Sequence, residues 1–190
     1  MAVDRDVLKG VYRFMFSGNN IFSIILYILI FYFAFVYLVI PAVYAYTPIS
    51  YISAVVSGSM EHNFPQIQYT YYDWLSQHGI KNASSFPFSG GISIGSLAIA
   101  YKVPASQLEV GDVIIYHIDY KGLDEDIIHR IINVTEINGS YYYTTKGDAN
   151  PYSLPFEINV PYSHVVGEVQ TVIPYLGYPK YIAYVLSSYI

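Results

Sequence analysis

Three types of side chain in this sequence have the chemistry to cooperate in nucleophilic catalysis: a serine hydroxyl, a base and a carboxylate. Ser59 sits in the small-residue turn Ser57-Gly58-Ser59-Met60, shortly after the one long apolar run. A serine hydroxyl is a weak nucleophile at its free pKa and needs an adjacent base. Two candidates lie downstream, His129 and Lys146. Asn138-Gly139 is the strongest short-range hairpin signal in the chain. Counting outward from a two-residue turn pairs Ile137 with Ser140 and brings His129 opposite Asp148. Directly opposed residues share one face, with Cβ atoms about 4.5–5.5 Å apart. A carboxylate there would accept the imidazole N–H, fix its tautomer and stabilise the cation formed when the other nitrogen takes a proton. The same register sets Lys146 opposite Ile131. It is either the alternative base or, the preferred reading, a structural cation that neutralises Asp148. A bulge in either strand would shift the register and break this pairing.

These groups need a scaffold, and the sequence supplies two kinds of element. From Phe14 to Met60 there is no charged residue or histidine, and Ile21–Tyr46 is almost wholly aliphatic or aromatic. As a helix it would run roughly 39 Å, enough to cross a hydrocarbon core of about 30 Å with tilt. A signal-peptide h-region is only ~7–15 residues, so the run reads as a retained anchor rather than a cleaved leader. Arg5, Lys9 and Arg13 precede it, and no Lys or Arg follows until Lys81. The positive-inside bias puts the N-terminus in the cytoplasm and the rest outside. The expected division is a cytoplasmic lead-in over 1–20 ending at the Gly18-Asn19-Asn20 breaker, a transmembrane helix over 21–46 interrupted late by Pro41, and an extracytoplasmic domain over 47–174. An apolar tail over 175–190 would lie in the membrane interface or be the stump of a second span.

Beyond the anchor the pattern is mainly β. Strands are expected over Tyr51–Val56, Leu97–Val103, Val113–Ile118, Ile127–Ile137, Ser140–Thr145 and Val165–Ile173. Asp124-Glu125-Asp126 reads as a solvated loop, with no further carboxylates to complete a cation cage. Phe64–Gly95 is expected to be an insertion over the domain rim, with one helical turn at Tyr71–Leu75. Its tyrosines would rest on the membrane or cap the core, membrane contact being favoured.

Composition removes several functions. The absence of cysteine excludes disulfides, thiolate metal sites and cysteine nucleophiles. Histidines 62, 78, 117, 129 and 164 show no metal-ligand spacing, so neither metal nor cofactor is expected. A net charge of −5 without a basic stripe argues against nucleic acid as a partner. Charged residues make up only 12 % against 23 tyrosines, a balance suited both to β-sheet and to a bilayer interface.

Four short segments, in order, resemble the conserved boxes of type I signal peptidases: Ser57-Gly58-Ser59-Met60, Gly111-Asp112-Val113-Ile114, Ile128-His129-Arg130-Ile131-Ile132 and Lys146-Gly147-Asp148-Ala149-Asn150. Histidine before arginine in the third box is similar to the archaeal and endoplasmic-reticulum branch; the bacterial branch has lysine there. The resemblance covers roughly Tyr51 to Val172. It implies a signal-peptidase-like β-rich catalytic domain, Ser59 as nucleophile, His129 as general base and Asp148 as supporting acid. Ser57 matches a hydroxyl that helps form the oxyanion hole in bacterial relatives, and the Ser59 main-chain N–H would be the second donor. The implied activity is membrane-bound cleavage of signal peptides from secreted and membrane preproteins, which bind as an added strand with small residues at the first and third positions before the cut. Preproteins and the lipid bilayer are then the expected partners, with the secretion translocon or accessory subunits alongside, in the cell membrane or the endoplasmic-reticulum membrane. Two departures stand out. His62 occupies a place where proline usually follows the serine box. The second aspartate that the family often carries is not at its usual spacing; either Glu157 substitutes for it or the second acid is missing, and Glu157 is assigned no catalytic role. Rival readings are a non-catalytic, membrane-anchored peptide-binding module and a membrane peptidase that matures pilin-like or surface proteins. An imidazole base must be neutral to act, so the rate should rise between acid and neutral pH; a rise only well above pH ~8 would indicate lysine.

Overall fold

The chain folds as two compact units, Met1–Pro48 and Ile49–Ile190. The structure is a computed structural model and describes residues 5–16, 21–62 and 69–187. The expected breaker at Gly18-Asn19-Asn20 lies outside these residues, as does part of the expected insertion.

In the first unit, Arg5–Phe16 forms helix α1, with Asp6 and Lys9 one turn apart and 3.8 Å from each other. Ile21–Ala34 forms α2 and Ile40–Tyr46 forms α3, joined by a π-helical stretch over Phe35–Val39. The cause of the wide turn is Pro41, which lacks an N–H and whose ring crowds the carbonyl one turn earlier; widening relieves the clash without ending the helix. Together Ile21–Tyr46 is the one helix among the described residues long and apolar enough to cross a membrane.

The second unit is a seven-stranded antiparallel sheet. Its strands are β1 (Ile49–Ala54), β2 (Leu97–Tyr101), β3 (Val113–Tyr120), β4 (Leu123–Ile137), β5 (Ser140–Lys146), β6 (Val160–Pro161) and β7 (Val165–Ile173), in the spatial order β1-β2-β7-β3-β4-β5-β6. β4 is longer than expected because Asp124-Glu125-Asp126 is strand, not loop. Lys121 and Gly122 adopt positive φ (52° and 86°), the geometry of a two-residue hairpin turn. That turn closes β3 onto β4 from Tyr120↔Leu123 to Val113↔Arg130. From Arg130 onward β4 pairs with β5 instead, down to the expected Asn138-Gly139 turn.

The sheet is held by two apolar clusters. One gathers Val55, Met60, Ile92, Ala98, Ala100, Val113, Ile115 and Val169; the other gathers Leu108, Ile114, Tyr116, Ile131, Tyr143 and Val160. Each fully buried large aliphatic side chain contributes about 1.5–3 kcal/mol. The segment before β2 provides a third cluster. Tyr71, Leu75 and Ala83 are buried against Trp74, Ile80, Phe86 and Ile132, with α4 at Trp74–Gln77. Tyr71 and Leu75, each only 2 % exposed, cap the core in this part of the insertion, while Tyr72 remains 42 % exposed. The C-terminal tail forms helix α5 over Tyr178–Ser187.

Candidate functional site

The Ser57–Met60 turn leaves β1 and is braced from one side. Met60 is buried, its carbonyl accepts the Ile92 N–H (2.7 Å), and Glu61 Oε1 accepts the Ile94 N–H (2.8 Å). From the other side Ala149 N–H donates to the Ser59 carbonyl oxygen (2.8 Å). Ser59 is therefore fixed by main-chain bonds at its carbonyl, while its Oγ lies 3.2 Å from Ser57 Oγ. Among the described residues no hydrogen bond joins Ser59 Oγ to His129, and the Ser59 N–H has no acceptor.

His129 projects from β4 and is 5 % exposed. Its Nε2 faces the serine turn across Gly147: a Cβ at Gly147 would fall 2.8 Å from His129 Nε2 and 2.9 Å from the Ser59 carbonyl oxygen. Glycine is required there for space, because any side chain would force the two elements apart. On its other side, His129 Nδ1 pairs with Glu157 Oε1. Glu157 is wholly buried on the 3₁₀ turn Pro155–Glu157, and its second oxygen accepts the Leu154 N–H. Among the described residues neither His129 Nδ1 nor Glu157 Oε1 makes a hydrogen bond of normal geometry, and the pairing of the two is an ionic contact. A proton held on Nδ1 leaves Nε2 unprotonated, with Gly147 between it and the Ser59 carbonyl oxygen.

Asp148 does not support His129, and the cause is a β-bulge. β4 and β5 keep the expected register from Ile137↔Ser140 to Asn133↔Thr144, then shift by one residue so that Ile131 meets Thr145 and Arg130 meets Lys146. Continued outward, this register sets His129 opposite Gly147 and moves Asp148 to the face of Arg130. Arg130 Nε and Nη2 donate to the two carboxylate oxygens (2.9 and 2.7 Å), and His62 Nε2 lies 3.0 Å from Asp148 Oδ2. Burial alone would raise the Asp148 carboxyl, but the hydrogen bonds from His62 and Arg130 outweigh it and hold the group below the usual carboxylate range. The rest of the guanidinium donates to the carbonyls of Pro87, Gly111 and Phe88 and lies over the Tyr71 ring. His62, the departure from the family pattern, packs tilted at 41° against the same ring, 4.3 Å between centroids.

Lys146 is equally enclosed. Its ammonium donates to the carbonyls of Gly147 (2.9 Å), Asp148 (3.4 Å) and Asn150 (2.8 Å) and sits over the Trp74 ring. Burial lowers its pKa to about 8, against the opposing pull of the Asp148 and Glu157 charges. It holds the turn that carries Gly147 and Ala149 through main-chain carbonyls, whereas the Asp148 carboxylate expected to be its partner is bonded by Arg130 and His62 instead.

Ser57, Ser59 and His129 open onto one cleft of about 290 Å³, walled by β1 residues such as Tyr51 and Ser53 and by β4 from Glu125 to His129. β1 is an edge of the sheet, and β4 before Arg130 pairs on one side only. At the far end Tyr51 Oη donates to Asp126 Oδ2 (2.6 Å) and bridges the two walls. Among the described residues no cluster of His, Asp and Glu could hold a metal ion. Sequence reasoning brought together Ser57, Ser59 and His129; it singled out Glu157 as a possible second acid but gave the imidazole's partner as Asp148, where the structure has Glu157. No protein-family model matches the chain, and no curated protein matches it either.

Proposed function

We propose that this protein is a membrane-anchored serine endopeptidase of the signal-peptidase kind, cutting signal peptides from preproteins as they emerge from the bilayer. Ile21–Tyr46 is the anchor, with the N-terminus cytoplasmic and the β-domain outside. The observation that carries the reading is the meeting of the Ser59 turn with His129 Nε2 across Gly147, in a cleft walled by two strand edges, with the imidazole backed by a buried carboxylate. Such edges suit a substrate bound as an added strand, its main chain supplying affinity and alternate side chains specificity.

In this reading Ser59 Oγ attacks the scissile carbonyl while His129 Nε2 takes its proton. Glu157 holds the tautomer and stabilises the imidazolium, the role that the register argument had given to Asp148. The imidazolium then protonates the leaving amine, and water attack on the acyl-serine, assisted by the same imidazole, restores the hydroxyl. The Ser59 N–H and the Ser57 hydroxyl are the oxyanion donors. Ser59 Oγ must turn from Ser57 toward His129, a contact that commonly closes only in the substrate complex.

One observation favours a non-catalytic peptide-binding module: the Ser59–Ser57 hydroxyl contact in place of a Ser59–His129 bond. A single assay separates the two. Full-length protein in detergent, incubated with a preprotein bearing small residues before its cut site, should cleave it, and Ser59→Ala should abolish cleavage while leaving the thermal unfolding temperature unchanged. Undiminished cleavage by Ser59→Ala would reject Ser59 as nucleophile; no cleavage by either protein, with retained peptide binding, would select the module.

A further inference from the structure

Helix α5 is apolar on nearly every side, yet among the described residues nothing covers one of its sides. Its start is pinned to the strip that braces the serine turn. Gly177 N–H donates to the Gly95 carbonyl (2.9 Å), and the Tyr178 ring lies so close that a Cβ at Gly95 would fall 2.6 Å from it. Tyr181 and Val185 turn inward and are half-buried. Lys180 and Tyr184 flank them and line the cleft that holds Ser59 and His129. The remaining face presents Ile182 (53 % exposed) and Leu186 (61 %), continued ahead of the helix by Tyr175 and Leu176. From Val169 to Ile190 the only charged residue is Lys180. A helix apolar all round is normally buried, so an exposed apolar face of this kind implies a cover.

We infer that α5 lies flat in the lipid headgroup region, with Ile182 and Leu186 in the bilayer, so that the catalytic cleft opens at the membrane surface. The inference rests on the proposal that Ile21–Tyr46 spans the membrane. Two features favour lipid over another protein as the cover. The span ends at Tyr46 and β1 begins at Ile49, so chain length alone keeps the start of β1 within about 10 Å of the end of the span; β1 packs against α5. Tyrosine, aliphatic side chains and a lone lysine that can snorkel are also the composition of an interfacial segment. The consequence is functional. Because Lys180 and Tyr184 line the cleft from the same helix, seating α5 sets the height of the cut above the bilayer.

The chain has no cysteine, so single-cysteine variants of the full protein can each carry one nitroxide label. Ile182→Cys, Phe31→Cys in the span and Ile137→Cys at the hairpin would be reconstituted in phosphatidylcholine vesicles and exposed to oxygen and to a nickel chelate. The expected result is that the labels at 31 and 182 are reached by oxygen and lose access to nickel, while the label at 137 remains open to nickel. Nickel access at 182 as free as at 137, with 31 still shielded, would overturn the docking of α5 and leave the anchor intact. Nickel access at 31 as well would overturn the anchor itself. Spin–spin broadening at 182 that vanishes on dilution with unlabelled protein would assign the face to a second copy, and so overturn the lipid assignment.

Discussion

Two carboxylates lie beside adjacent residues of β4, and their surroundings differ. Asp148 receives hydrogen bonds from both ends of the Arg130 fork and meets His62 as well, at the centre of a cluster that also ties down Pro87, Phe88 and Gly111. Glu157 meets one titratable partner, His129 Nδ1, whose opposite nitrogen faces the cleft. The first is a saturated network, in which removing any member strands the others. The second is a relay of two groups that ends on an open site. Neighbours along one strand point to opposite faces, so one strand carries a fastening at Arg130 and, at His129, the group proposed as the base.

If this contrast holds, the largest effect on stability belongs to Asp148. Asp148→Asn strands the buried Arg130 charge, and we expect a loss of about 3–5 kcal/mol, read as a lowered midpoint of denaturant unfolding. The pH dependence follows from the depressed carboxyl. Its stabilisation is complete above the unfolded value of 3.8 and is lost as pH falls through the lower folded value. The variant should therefore lose this part of the acid-side dependence. Unchanged stability would make Asp148 no fastening at all.

On the cleft side the effect should appear in rate instead. Ser57→Ala removes one proposed oxyanion donor; kcat for preprotein cleavage should fall about 10²–10³-fold, with the unfolding midpoint unchanged. Unaltered kcat would leave Ser57 only a structural neighbour of Ser59.

The smallest expected effect concerns Lys146. Its folded pKa of about 8 lies below the ordinary lysine value of 10.5, so between these values the unfolded chain binds more protons and this residue's contribution to stability rises with pH. Lys146→Met should flatten that slope in unfolding measured from pH ~8 to ~10. An unchanged slope would mean that Lys146 keeps its proton in the folded protein.

The sequence made some of this contrast legible and concealed the rest. Asn138-Gly139 adopts the positive φ that its residue types favour, so the β4–β5 hairpin was readable; the bulge beyond it was not, since nothing in Ile131-Ile132-Asn133 marks an extra residue. That single residue exchanged the partners of His129. Lys121-Gly122 hid the β3–β4 hairpin because lysine is an unusual occupant of a left-handed position, and so the acids at 124–126 looked like loop. Glu157 was hidden by the irregular chain between Asn150 and Val160, which has no periodicity from which to project a side chain. Ser57, Ser59 and His129 were legible because short motifs carry them and the flanking strands alternate cleanly.

The central claim is that Glu157, rather than Asp148, supports the base that activates Ser59. Its most direct test is kcat for preprotein cleavage by Glu157→Gln, measured beside its unfolding midpoint. A neutral amide at that point should disturb the imidazole tautomer, and kcat should fall by about 10⁴-fold with the fold intact. Full activity in Glu157→Gln would contradict the account.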